Sequence, residues 1–146
     1  MKRVAIVTRA IDPASLIAEV QSPEFGAISL FVGTVRDIND GRPVQALDYS
    51  AYTAMAESEL AEIVSEAGAR FGAPAVVVEH RIGPLALGDV SVAIVSASAH
   101  RESAIECTRF VIEEIKKRVP IWKREHYSDG TREWVDPTRA SEARAT

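Results

Sequence analysis

A single cysteine in 146 residues leaves no internal disulfide framework to organise this chain. Its three histidines, His80, His100 and His126, are scattered, and none has a second ligand at the short spacing that zinc sites use. No apolar run approaches the roughly 18 residues that span a bilayer. The start, Met1-Lys2-Arg3-Val4-Ala5-Ile6-Val7-Thr8-Arg9, meets charge too soon for a secretory signal. Walker loop, dinucleotide fingerprint and Gly-x-Ser-x-Gly elbow are all missing. Aromatic residues make up 6% of the chain, and no row of them suits base stacking. A formal net charge of −4 argues against wholesale nucleic-acid binding. What is left is a cytoplasmic globular protein with no metal centre, no membrane anchor and no nucleic-acid partner. The 47% hydrophobic and 26% charged fractions suit one ordinary core.

The apolar pattern divides the chain into short elements. Val4 to Val7 reads as a strand, and Asp12-Pro13 as an N-cap and first helical position ahead of Leu16, Ile17 and Val20. Residues 27–36 form a β-branched strand interrupted by Gly33, which marks a bulge or a close backbone approach. Turn chemistry follows at 37–43, centred on Asp40-Gly41. The strand 44–51 is then expected to pair with 27–36 as a hairpin. Ala56, Leu60, Ile63, Val64, Ala67 and Phe71 recur at helical spacing, closed by Gly72 and Pro74. Strands at 75–81 and 90–97 flank a connection at 83–89. Ala104, Cys107, Val111 and Ile115 make the inner face of a last helix, with Cys107 in the core. The order β-α-β-β-α-β-β-α predicts an α+β domain over residues 1–136 with a mostly antiparallel sheet. The polar residues 137–146 read as a disordered tail.

The chemistry gathers at Lys116-Lys117-Arg118-Val119-Pro120-Ile121-Trp122-Lys123-Arg124-Glu125. Pro120 stops the last helix, so Lys116 lies in its final turn and Lys123 on the next element. Two ammonium groups from different elements can converge on one anion. The plainer reading is that Lys116, Lys117 and Arg118 complement the helix dipole, about 0.3–1 kcal/mol each. That reading leaves the large Trp122 ring between cations unexplained, and a pocket wall suits it better. His100-Arg101 opens the same helix, where free N–H groups attract anions. Arg36 ends the glycine-bearing strand. His80 and Arg81 are read as serving the turn that follows them. The residues alone thus predict an anion pocket lined by Arg36, His100, Arg101, Lys116 and Lys123.

Taken together, Phe31-Val32-Gly33-Thr34-Val35-Arg36, Leu47 to Tyr52 with Met55-Ala56, His80-Arg81-Ile82-Gly83, Ala99-His100-Arg101 and Lys116 to Glu125 resemble the MoaE family, the large catalytic subunits of molybdopterin synthase. The likeness spans roughly residues 25–135. Ser50, where many members carry Glu, and Ile105, where Phe is usual, depart from the pattern outside the cationic set. The resemblance implies an α/β-hammerhead fold with an added small antiparallel β subdomain. It implies a sulfurtransferase of molybdenum cofactor biosynthesis. Sulfur would come from the C-terminal Gly-Gly thiocarboxylate of a ubiquitin-like small subunit. It would pass to cyclic pyranopterin monophosphate and build the molybdopterin dithiolene, with no cofactor or metal held by this subunit. Lys116 and Lys123 match the catalytic lysines. Thr34, Val35, Arg36, His100 and Arg101 match the substrate pocket, and Arg124 and Glu125 follow in the same binding segment. Arg132 is not assigned. A homodimer of large subunits with a small subunit at each outer end, a 2+2 heterotetramer, is also implied. The alternative is a non-catalytic module that docks a Gly-Gly tail. Such a module could dispense with paired Lys116 and Lys123 and with His100-Arg101, so their presence favours the enzyme.

Overall fold

The structure, a computed structural model, describes residues 1–135; the tail expected at 137–146 lies outside the described residues. In chain order the elements are β1 (Lys2–Val7), α1 (Pro13–Val20), β2 (Ala27–Thr34), β3 (Ile38–Asn39), β4 (Arg42–Ala51), α2 (Thr53–Phe71), β5 (Ala75–Arg81), β6 (Gly83–Ala86), β7 (Val90–Ser98), α3 (Arg101–Arg118), β8 (Ile121–Tyr127) and β9 (Arg132–Val135). The α+β class holds, but the strands divide between two sheets.

The first sheet has the order β1-β5-β7-β2, parallel only between β1 and β5. Both of its faces are covered, which is why β5 and β7 read as continuous apolar runs instead of alternating ones. Val76, Val78, Val92 and Ile94 pack under α2 and α3, while Val77, Ala93, Val95 and Ala97 pack under α1. Asp12 caps α1 as expected, its Oδ1 accepting from the Ala14 amide at 3.1 Å with Pro13 in the first turn. On the α1 side the Glu79 carboxylate, 2% exposed, accepts from both Arg3 and Arg9 at 2.9 Å. Across the other face, Arg118 ties α3 to α2 through Glu59 and Glu66, each at 2.7 Å.

The second sheet runs β3-β4-β8-β9, with β6 also paired to β4. Here the expected hairpin between 27–36 and 44–51 fails. β2 pairs with β7 (Phe31 opposite Ile94), and β4 pairs with β8 (Asp48 opposite Arg124). The Asp-Gly signal is real, but it closes a smaller hairpin. Asp40 and Gly41, at φ 51° and 75°, connect β3 to β4 with Asn39 opposite Arg42. The stretch 83–89, expected as a plain connection, contains β6, whose Leu85 pairs with Leu47. Gly33 fulfils both halves of its expectation. The register slips between Gly33 and Thr34, and a Cβ on Gly33 would stand 2.8 Å from Val92 Cγ1.

Candidate active site

A cleft of about 710 Å³ opens where the end of β2, the last turns of α3 and the second sheet meet. Thr34, Val35 and Arg36 leave β2 at the bulge and form one side. Lys116 comes from α3, where Ile112 lies one turn earlier on the same face. Lys123 and Glu125 come from β8, because a strand sends alternate side chains to opposite faces. The same alternation turns Trp122, Arg124 and His126 away. Two lysines from different elements therefore do converge, as the proline stop after α3 leads one to expect.

Their surroundings differ. Lys116 opens onto the cleft, yet protein crowds its ammonium end. That desolvation, followed by repulsion from Lys123 and Arg36, lowers its pKa. Lys123 instead has a counter-ion, with Nζ 3.2 Å from Glu125 Oε1. Glu125 is 1% exposed, and Asn39 Nδ2 donates to its two oxygens at 2.6 and 2.9 Å. Burial by itself would raise the Glu125 carboxyl. Hydrogen bonds from Asn39 and Tyr127 and the charge of Lys123 outweigh that and hold it below the usual carboxylate range. One lysine is thus a fixed cation on a carboxylate, and the other is a cation the protein makes easier to deprotonate.

Of the residues expected at the site, Thr34, Val35, Arg36, Lys116, Lys123 and Glu125 line the cleft. Arg124 does not: it lies on the other face of β8, 3.5 Å from Asp48, with its guanidinium 5.1 Å from the centre of the Trp134 ring. Trp122 is no pocket wall either; it stands edge-on to Tyr52 at 5.2 Å. His100 and Arg101 are exposed at the opposite end of α3. The 15 residues from Arg101 to Lys116 rise about 22 Å, and neither His100 nor Arg101 lines this cleft. Asn39 and Tyr49 were missed, Asn39 because its Asp-Gly neighbourhood reads only as a turn. Tyr49 lines the cleft opposite Lys123 in register. Among the described residues no cluster of three metal-ligating side chains occurs, and no helix is long and apolar enough to cross a membrane.

A family model described as MoaE protein matches residues 6–118. A relative from Thermoplasma volcanium, named molybdopterin synthase catalytic subunit, is 45% identical over 131 residues, 90% of this chain and 96% of that protein. The crystal structure of molybdopterin synthase from Staphylococcus aureus superposes with a TM-score of 0.85 at 35% identity, covering 90% of this chain and 95% of the other. A complex of subunits 1 and 2 of the molybdopterin-converting factor from Helicobacter pylori includes a chain that matches with a TM-score of 0.74 at 26% identity, over 90% and 89% of the two chains. The family match, the shared fold and the motif segments around the cationic cleft agree: this chain belongs to the MoaE family.

Proposed function

We propose that the cleft transfers sulfur from the thiocarboxylate tail of a ubiquitin-like small subunit to cyclic pyranopterin monophosphate. The observation that carries this reading is the convergence of Lys116 and a carboxylate-anchored Lys123 in one cleft beside Arg36. Both reactants are anions, and three cations, from α3, β8 and the segment after β2, can hold a phosphate and a thiocarboxylate together. The thiocarboxylate sulfur displaces an oxygen substituent from a side-chain carbon of the substrate: the carbon–sulfur bond forms, the carbon–oxygen bond there breaks, and the oxygen leaves after taking up a proton. Water then adds to the acyl carbon, and the acyl carbon–sulfur bond breaks, leaving sulfur on the substrate and a carboxylate on the tail. Lys123 stabilises the oxyanion of that addition, and Lys116 carries the proton. Two rounds give the dithiolene.

Support for the partner comes from the Helicobacter complex of two subunits. The chain itself would need no metal, since sulfur arrives on the tail and the donor set here is cationic. We assign it to the cytoplasm, as the large subunit of a homodimer within a 2+2 heterotetramer. In that dimer His100 and Arg101 would serve the cleft of the second copy, a reading that their distance from Lys116 supports. Exposed Ile28 and Leu30 on the edge strand β2, with Ile105 on α3, offer apolar surface near them.

The test is to mix the protein with a thiocarboxylated small subunit and cyclic pyranopterin monophosphate and to read molybdopterin as its fluorescent oxidation product. Product in a single turnover is expected. No product from a folded, partner-bound protein would leave a module that docks the tail without chemistry.

A further inference from the structure

Behind Lys116 the cleft has a second layer. A cavity of about 40 Å³ lies there, its wall including Tyr49, His80, Ser91, Lys116 and Lys123. His80 reaches it from the end of β5 on the face that packs under the helices. It is 6% exposed and stands edge-on to Tyr49, the ring centres 5.2 Å apart. Its Nδ1 lies 2.9 Å from the Arg81 carbonyl oxygen. A carbonyl can only accept, so Nδ1 carries the hydrogen, and the atom left for the cavity is Nε2 with its lone pair. The ring is neutral at working pH. Burial pushes its pKa down to about 4 against the pull of the Arg81 carbonyl, and the Lys116 charge adds to the fall.

The cavity suits water. A water needs roughly 10–15 Å³ of such space and two to four polar partners. The wall supplies the imidazole, two lysines and the Ser91 hydroxyl, which donates to the Gly33 carbonyl at 3.2 Å and keeps its lone pairs for a water. We propose that His80 is a positioning residue for Lys116, its Nε2 accepting from the lysine ammonium through a water held in this cavity.

The choice of a neutral ring has a reason in the charges around it. Lys116 faces Arg36, Lys123 and Tyr49 across the cleft, Glu125 beyond Lys123, and Glu113 and Lys117 on its own helix. From α2, Glu57 is engaged by the Ile6 amide at 3.1 Å, on the strand residue paired with His80. A cation in place of His80 would repel all three cleft cations. A carboxylate there would bind Lys116 as Glu125 binds Lys123 and keep it charged. A neutral acceptor steadies the amine and still lets it lose a proton.

The inference rests on the proton-carrying reading of Lys116 only for its catalytic consequence. The first readout is therefore independent of turnover: trace acetylation of the intact protein across a pH series, with the labelling midpoint of each lysine read by peptide mass spectrometry. His80→Asn keeps a donor for Arg81 and loses the acceptor at the Nε2 position. Its Lys116 midpoint should fall by about 0.5–1 pH, the worth of one ordinary hydrogen bond, as suits an acceptor reached through water, while Lys117 stays where it was. His80→Gln, which restores an acceptor near Nε2, should return Lys116 towards wild type. Ser91→Ala leaves the ring in place, removes a water partner and should give a smaller fall. An unchanged or raised Lys116 midpoint in folded His80→Asn overturns the proposal, and so does the same result in Ser91→Ala should the histidine variants not fold. The acid limb of the sulfur-transfer pH profile should move with the midpoint. If the midpoint moves and the limb does not, His80 stands and the proton role of Lys116 falls.

Discussion

Lys116 and Lys123 carry the same functional group and face the same cleft, and their neighbours make them different reagents. Glu125 is what separates them, and Asn39 is what holds Glu125. Glu125→Gln keeps the shape and removes the charge. It should slow single-turnover sulfur transfer about 10- to 100-fold, the range expected for loss of a hydrogen bond to a charged group, with small-subunit binding intact. Asn39→Ala should act in the same direction and more weakly. The lysines were legible in the sequence because the proline stop puts them on two successive elements that can converge, and because both match the family's motif. Of their partners, Glu125 entered only through the resemblance, as part of the binding segment and not as a counter-ion, and Asn39 not at all. A lone glutamate at the end of a basic run, and an asparagine in a turn, acquire meaning only when β3 and β8 are brought together.

At the scale of elements, α3 and β8 sort the cations. The rise of α3 separates His100-Arg101 from Lys116, a distance that listing residues on one pocket overlooks. A basic residue at a helix start opposes the dipole, and at the helix end it complements it. The start is thus the costlier place for Arg101 and the stronger hint of an anion from elsewhere. The period of two along β8 divides Lys123 and Glu125 from Trp122 and Arg124, and that split could have been read from the sequence once 121–127 was taken as a strand. The misread hairpin has a different cause. Neighbouring strands usually pair, and nothing local says that β2 finds β7, some 60 residues on. Gly33 sits at that junction. Gly33→Ala drives a Cβ into the short, buried Val92 side chain. It should destabilise the fold by about 1–3 kcal/mol in denaturant titration, the cost typical of overpacking. Activity should fall further than stability, since Thr34 to Arg36 follow immediately.

Across the whole molecule, one buried carboxylate joins the N-terminal strand to the main sheet. Arg9 chiefly, against the desolvation of the carboxyl and with help from Arg3, holds the Glu79 pKa below its ordinary 4.5. A depressed folded-state pKa contributes stability that is present above the unfolded value and lost as pH falls through the folded one. Melting temperature should therefore drop on acidification below about pH 4.5, and Glu79→Gln should flatten that limb. At neutral pH the variant should lose about 1–2 kcal/mol, discounted because both arginines remain partly solvated. The division into two sheets has a functional consequence at this scale: the cleft exists only where they meet, so its lysines depend on both.

The most direct measurement is single-turnover sulfur transfer by Lys116→Ala and Lys123→Ala beside wild type, with small-subunit binding followed in parallel. Each variant should bind the small subunit and lose at least about 100-fold in rate, as removal of a group that stabilises or protonates the transition state does. Full activity in either folded variant would contradict a cleft in which both lysines act on the reacting anions.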